Sequence, residues 1–338
     1  MIVSGERNSI TDVDGILVGN AQDEKLKSGT TALICKQAYT ASVQVLGGAP
    51  GTRETELLEP HNSVQAVDAL VLSGGSAFGL DAGSGVQNWL RDQGRGFEVG
   101  PVRVPIVPSA ILFDLINGGD KNWQEQSPYS ALGYEAATNA SSDFDLGSVG
   151  AGSGALTANL KGGLGSASTY LQQFGVTIGA LVAVNALGST MIGDTRHFWA
   201  APFELGDEFG GLGIPDALPN NAKELRTKFG GQSVSPEGAN TTIGIIATDA
   251  KLTKAECKRL AIAAHDGFTR AIWPSHTPMD GDLVFSVSTG SVDTKGSLDA
   301  MIAICAMAGS TMARAVARGV YMASEQDGDI MPVWRSLR

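Results

Sequence analysis

The feature that most constrains this chain is its glycine punctuation: 44 glycines in 338 residues, with no collagen-like period, many of them where apolar runs of strand length give way to helical spacing. Val67-Asp68-Ala69-Leu70-Val71-Leu72 has the length and character of a strand, and Ser73-Gly74-Gly75 ends it. Phe78, Ala82, Gly85, Val86, Trp89 and Leu90 then recur at helical spacing until Gly94 and Gly96 close the helix. A strand–glycine turn–helix unit can cradle phosphate at its helix N-terminus. Here the spacing fits neither the dinucleotide fingerprint nor the Walker lysine motif, so close packing of helix on sheet is the reading of these glycines.

Other segments repeat the theme. The stretch from Ile10 to Asn20 reads as a turn leading into a strand, and Thr30 to Cys35 as a second strand. Pro101 to Pro108 is extended and broken by prolines, as in an edge strand or loop. Residues Tyr134 to Ala140 look helical, and Val176 to Val184 is a strongly apolar strand ending at Asn185. From Asp194 to Glu237 glycine, proline, asparagine and charge dominate, which predicts an exposed, mobile loop. Thr241 to Thr248 is a clean β-branched strand, Lys254 to Ala271 an amphipathic helix, Leu283 to Ser288 a strand and Leu298 to Val316 a helix. Strands and helices alternating in clusters predict a layered α/β or α+β sandwich.

Hydrophobic residues make up 43% of the chain and charged residues 17%, which suits a globule able to bury a large core. The net charge of −11 comes with no clustered basic surface, so no nucleic-acid partner is expected. The opening Met1-Ile2-Val3-Ser4-Gly5-Glu6-Arg7 lacks the charged-then-apolar order of a signal peptide. No uninterrupted apolar run reaches the roughly 18–20 residues of a membrane span. Cys35, Cys257 and Cys305 are odd in number and far apart, as expected of small buried hydrophobes. A cytoplasmic protein without a membrane partner is the expectation.

The candidates for chemistry are few. His61, His197, His265 and His276 sit in no nucleophile elbow and at no metal-binding spacing, so no metal or cofactor is expected. Ordinary surface or packed histidines account for them, with His276 set apart by its acidic neighbours. The sharpest local feature is Gly238-Ala239-Asn240-Thr241-Thr242-Ile243, where the irregular segment stops abruptly at a strand. If the bond before Thr241 breaks, a hydroxyl and a new α-amine lie on one residue. That amine, with a pKa of about 8, can act as the base for the hydroxyl without a histidine. Taken alone, the junction fits better an asparagine turn before an ordinary strand. His276-Thr277-Pro278-Met279-Asp280-Gly281-Asp282 places two carboxylates around a glycine before a strand. Such a pair can share protons, hold an amine or bind a hard cation, although a solvated acidic turn is the commoner meaning. Lys161 begins Lys161-Gly162-Gly163-Leu164-Gly165 in a stretch otherwise free of charge, a setting able to shift its pKa or provide an electrostatic contact, although read alone an ordinary exposed turn lysine is the commoner meaning.

Together these segments resemble one family: DmpA-type aminopeptidases, β-peptidyl aminopeptidases and the nylon-oligomer hydrolase. The resemblance is carried by Ile10-Thr11-Asp12-Val13-Asp14-Gly15-Ile16-Leu17-Val18-Gly19, by Leu72-Ser73-Gly74-Gly75-Ser76-Ala77-Phe78-Gly79-Leu80-Asp81-Ala82, by Lys161 to Gly165, and by Val184-Asn185-Ala186-Leu187-Gly188. Most of the family uses serine; Asn240-Thr241-Thr242-Ile243 and the paired aspartates resemble the nylon-oligomer hydrolase instead. The resemblance implies an α–β–β–α sandwich similar to that of N-terminal nucleophile hydrolases. It also implies one hydrolase domain over residues 1–338, matured into chains 1–240 and 241–338 that stay together, and a homotetramer. By position, Thr241 would be nucleophile and base. Lys161 and Asn185 would face the reacting carbonyl, and Asp280 and Asp282 would orient Lys161 and the α-ammonium of Thr241. The family often has tyrosine in the segment that here reads Ile111-Leu112-Phe113-Asp114-Leu115; Phe113, expected in the substrate pocket, cannot donate a hydrogen bond. The implied substrates are small linear amides such as nylon (6-aminohexanoate) oligomers, or peptides cut as by an aminopeptidase or β-aminopeptidase with D-esterase activity. An acyltransferase like the ornithine acetyltransferases is the reading from another class, and a non-catalytic glycine-rich scaffold a third.

Overall fold

The structure, a computed structural model, describes residues 2–228 and 240–337. Ten strands form one hydrogen-bonded sheet: β1 (Ile2–Val3), β2 (Ile16–Asp23), β3 (Ser28–Val45), β4 (Gly51–Arg53), β5 (Ala66–Ser73), then β8 (Ser109–Ile111), β9 (Gly163–Leu171), β10 (Val176–Asn185), β11 (Thr241–Ala250) and β12 (Leu283–Val292). Between β5 and β8, the short strands β6 (Phe97–Val99) and β7 (Val102–Val104) make a separate hairpin. The helices are α1 (Asp81–Asp92), α2 (Tyr129–Thr138), α3 (Lys254–Ala271) and α4 (Leu298–Tyr321).

The 18-residue β3 turns one sheet into two layers. Its first half pairs with β2 and β5, its second half with β12, and the register shifts between Ile34 and Tyr39. Period-2 alternation then sorts the side chains into stacked cores. Ile178, Ala180, Val182 and Val184 of β10 face α3 and α4. Leu181 and Ala183 point the other way, joining Ile243, Ile245 and Ala247 of β11 and Leu33, Leu70 and Leu72 of the opposite layer. Ala32, Ile34, Ala69 and Val71 face outward onto α1 and α2. The order is therefore helix, sheet, sheet, helix, the expected four layers. Ile243, Ile245 and Ile246 are fully buried, worth roughly 1.5–3 kcal/mol each, so the strand that begins at Thr241 is rigid.

Element ends carry their causes. Thr253 and Glu256 form a capping box that starts α3 at the expected residue. Ser297 caps α4 through the Ala300 amide. By length and composition α4 is apolar enough to cross a bilayer. Its Ile304, Ala308, Met312 and Val316 pack into the core beside the sheet, however, and its buried Arg314 donates to Glu208 at 2.5 Å. It is built as a core helix.

The expectation of an exposed loop from Asp194 holds for much of the described part, where Leu212, Ile214, Leu218 and Leu225 are exposed, and is corrected for its buried aromatics. Residues 194–228 are irregular, yet Phe198, Ala200 and Phe209 belong to the core beneath α4, with Phe198 stacked on Trp334. Aromatics spaced without period give no strand or helix signal but still fill volume. Residues 229–239, including Gly238 and Ala239 of the junction, lie outside the described residues.

Candidate active site

The strand register brings the candidates together. β10 and β11 are antiparallel with Asn185 directly opposite Thr241, and β11 and β12 are parallel, extended by a bridge between Asn240 and Asp280. Directly opposed residues have Cβ atoms about 4.5–5.5 Å apart and share a face. Thr241 alternates with Ile243 and Ile245, and Asn185 with Ala183 and Leu181, so both project between the two sheets. Every expected site residue on these strands and on the turn before β12 is buried.

The Asn240 carbonyl is the focus of two donors. Thr241 Oγ1 donates to it at 2.5 Å and the Gly281 amide at 2.9 Å. Glycine is required at 281 by space: a Cβ there would lie 2.7 Å from Thr241 Oγ1 and 2.8 Å from the Ala49 carbonyl. The nucleophile candidate thus touches the bond that precedes it, and an amide is aimed where that carbonyl's charge would develop. The side-chain amide of Asn240, fully buried, has no hydrogen-bond partner among the described residues.

The two aspartates take different partners. Asp280 accepts from the Thr277 amide and hydroxyl (2.9 and 2.7 Å) and from the Leu187 amide (3.3 Å). Burial, and then the charge of Asp282, push its pKa up. Asp282 accepts from the Thr242 amide at 2.7 Å through Oδ1, and from the His276 amide (3.0 Å) and ring Nδ1 (2.9 Å) through Oδ2. It therefore anchors the residue that follows Thr241.

The expectation that these aspartates hold Lys161 is corrected. Lys161 is buried, but its ammonium donates to Asp329 (2.8 Å) and Gln326 (3.2 Å), and Asp329 also receives Lys27 (2.7 Å). The C-terminal segment reaches Lys161 across the fold, and its backbone joins in: the Lys161 amide donates to the Pro332 carbonyl. Burial lowers the Lys161 pKa, against the pull of Asp329.

The amine that lies beside Asn185 is instead Lys228, which the sequence gave no reason to single out. Its Nζ donates to Asn185 Oδ1 at 2.9 Å and to the Asn185 carbonyl at 3.1 Å. Wholly buried, it has its pKa pushed down to about 7, while the charges of Asp280 and Asp114 pull the other way. Asn185 Oδ1 also accepts from the Leu156 amide, and its Nδ2 donates to the Phe113 carbonyl at 2.9 Å. Asn185 is thus committed to neighbours in the continuous chain. Phe113 contributes this main-chain carbonyl, and together with Asp114, Ile116, Asn185 and Lys228 it lines a cavity of only about 10 Å³. Roomier hollows lie elsewhere, one by Lys251 and Thr294 and another by Ala38 and Phe97. His276, marked in the sequence only by its acidic neighbours, proves to be the partner of Asp282.

Comparisons with known proteins fit this geometry. An uncharacterized aminopeptidase of Mycobacterium tuberculosis is 43% identical, over 98% of both chains. The 6-aminohexanoate-oligomer endohydrolase of a Kocuria strain is 26% identical, over 88% of this chain and 80% of that one. Among solved structures, a Burkholderia β-aminopeptidase superposes with a TM-score of 0.73 at 20% identity, covering 98% of this chain and 92% of the other. The L-aminopeptidase D-Ala-esterase/amidase of Ochrobactrum anthropi, described as a variant of the Ntn hydrolase fold, does so with 0.69 at 22%, covering 98% and 90%. Residues 8–331 match Peptidase family S58, and the chain belongs to that family of aminopeptidases and amidases.

Proposed function

We propose that the chain cuts itself between Asn240 and Thr241 and then hydrolyses amides with Thr241 as nucleophile. The observation that carries this reading is the Asn240 carbonyl oxygen, which accepts from both Thr241 Oγ1 and the Gly281 amide. In self-cleavage, Oγ1 adds to the Asn240 carbonyl carbon, the Gly281 amide holds the developing oxyanion, and the Thr241 nitrogen leaves with a proton. Water then hydrolyses the ester, leaving a carboxylate on Asn240 and a free hydroxyl and amine on Thr241. The same hydroxyl next attacks a substrate amide, with the new α-amine taking its proton; the leaving amine takes a proton in turn, and water releases the acyl group. One donor aimed at an oxyanion is worth about 100–1000-fold in rate.

The substrates proposed are short linear amides or the N-terminal residues of peptides. The names of the relatives support both, since one is called an aminopeptidase and another a 6-aminohexanoate-oligomer endohydrolase. After that cut residues 1–240 and 241–338 would stay associated, a reading that the β10–β11 pairing supports because each piece then holds one strand of the pair. In the test, Thr241→Ser keeps cleavage and hydrolysis, and Thr241→Ala stays whole and inactive. Gly281→Ala, which crowds Thr241 Oγ1, slows cleavage at least about tenfold, or 1.4 kcal/mol of barrier. Amide hydrolysis by the alanine variant at the wild-type rate excludes Thr241.

A further inference from the structure

The buried amine of Lys228, which the proposed chemistry leaves unused, lies beside the site and shows what its surroundings can hold. Its main-chain amide donates to the Leu187 carbonyl at 2.8 Å, so the base of the side chain is fixed just past the end of β10. From there Nζ reaches Oδ1 and the carbonyl of Asn185, at 2.9 and 3.1 Å. These are two neutral acceptors for a group with three protons to donate. Asn185 stands directly opposite Thr241, and the Cβ atoms of such a pair are about 4.5–5.5 Å apart. An amine held on Asn185 is therefore a neighbour of the candidate nucleophile.

A carboxyl group borders the same space without pairing with that amine. Asp114, 2% exposed, lines the cavity of about 10 Å³ that Asn185 and Lys228 also line. Its Oδ1 accepts from the Gly75 amide at 2.8 Å, whereas Oδ2 is buried and has no hydrogen-bond partner among the described residues. Gly154 is another wall of the cavity, and a Cβ on it would lie 3.0 Å from Oδ2. Burial pushes the pKa of Asp114 up, against the Ser28 hydroxyl, the charge of Lys121 and the Gly75 amide. A buried carboxyl oxygen without a donor is costly, and a cation brought to it would supply what the described chain does not.

The tether keeps the amine and the free oxygen apart. Lys228 stops at Asn185 because its stem is anchored beside Leu187, whereas an ammonium not bound to this main chain can go on to Asp114. The cavity has room for about one water while Lys228 is in place, and widens by the whole stem once Lys228 withdraws. We propose that the mature enzyme binds here a primary ammonium that the substrate carries next to the amide attacked by Thr241, on the oxygens of Asn185 and on Asp114 Oδ2, and that Lys228 fills this place in the uncut chain. Asp114 is then a specificity-determining residue. Lys228 lies on the piece whose end the cut at Asn240 frees. The step from binding to catalysis rests on the reading of Thr241 as nucleophile; the binding site does not.

The binding claim is tested in the uncut Thr241→Ala chain. Adding Lys228→Ala removes three carbons and the amine, the atoms of n-propylammonium. At neutral pH, n-propylammonium is expected to raise the melting temperature of this double variant, as a ligand of the folded state does, and 1-propanol of the same shape to raise it less. The Thr241→Ala chain with Lys228 in place should not respond. Asp114→Asn in the double variant is expected to weaken n-propylammonium binding at least about tenfold. An alcohol that binds as well as the ammonium, or binding indifferent to Asp114, overturns the proposal. Should the Asp114→Asn chain fail to fold, the comparison of ammonium with alcohol still decides it.

The functional arm compares β-alanyl and 6-aminohexanoyl anilides with their N-acetyl counterparts on the cleaved enzyme. The free amines are expected to be preferred at least about tenfold in kcat/KM, chiefly through KM, and Asp114→Asn to erase most of that preference. No preference in the unsubstituted enzyme, or one that survives Asp114→Asn, overturns the proposal. If Thr241→Ala hydrolyses the anilides, the Thr241 reading falls, and the n-propylammonium arm still decides the site.

Discussion

Lys161 and Lys228 are both buried lysines, and their surroundings differ in one respect. Lys161 lies 2.8 Å from the carboxylate of Asp329, which Lys27 shares. Lys228 donates to the amide oxygen and carbonyl of Asn185, and among the described residues no carboxylate comes within ion-pair distance of it. A buried ammonium with a paired carboxylate is held toward its charged form; one whose hydrogen bonds go only to neutral oxygens, with carboxylates farther off, moves toward the free amine. The Lys161 region is thus a tied joint between β9 and the C-terminal segment. The Lys228 region is a filled space between Asn185 and Phe113, on the stretch that leads to the Asn240–Thr241 bond. Lys161, which the resemblance led one to expect in the site, is the better anchored of the two, and Lys228, beside the strand pair that carries Thr241, is the one easier to displace.

The largest effect should come from breaking the joint. Asp329→Ala leaves two buried amines without their carboxylate and is expected to destabilise the chain by about 3–5 kcal/mol, read by denaturant unfolding. A loss below 1 kcal/mol would mean that the two regions do not differ as described.

Lys228→Met should have the opposite sign. Replacing an amine that has no carboxylate within ion-pair distance among the described residues by an apolar chain of similar length is expected to stabilise the uncut Thr241→Ala chain by about 1–4 kcal/mol at pH 7. The pH dependence sharpens this. The folded pKa of Lys228, about 7, lies below its unfolded value of about 10.4. Between those values the unfolded state binds the extra proton, so stability rises with pH across that window, and the penalty is fully present below it. Lys228→Met removes this rise. Unfolding free energies at pH 7 and 9 that change equally in both chains would place the Lys228 amine in water.

A smaller effect, on rate, concerns the anchor of β11. Asp282→Ala removes the acceptor of the Thr242 amide and should slow self-cleavage at least about tenfold, or 1.4 kcal/mol of barrier. Wild-type cleavage in this variant would leave the aspartate with a structural role only.

The comparison also shows what a sequence can and cannot disclose. The strand from Thr241 and the helix from Lys254 to Ala271 were legible because period and caps are local. Asn185 was legible as the end of an apolar strand, and register alone places it opposite Thr241. Strand length was less so: β3 runs to Val45, well beyond Cys35, because a register shift lets one strand serve both layers. Lys228 sits in a segment without periodicity, and nothing near it in sequence marks it as buried. Asp329 lies 168 residues from Lys161, so their pairing is written only in the fold. His265 and His276 meet because a helix and a turn converge, at a spacing of 11 residues that matches no metal or catalytic motif.

The central claim is that Thr241 becomes a chain end. The most direct measurement is intact mass and N-terminal sequencing of the purified, active protein. The account predicts two polypeptides, residues 1–240 and 241–338, the smaller beginning Thr241-Thr242-Ile243. An undivided chain that hydrolyses amides, or a smaller fragment that begins at any other residue, would contradict it.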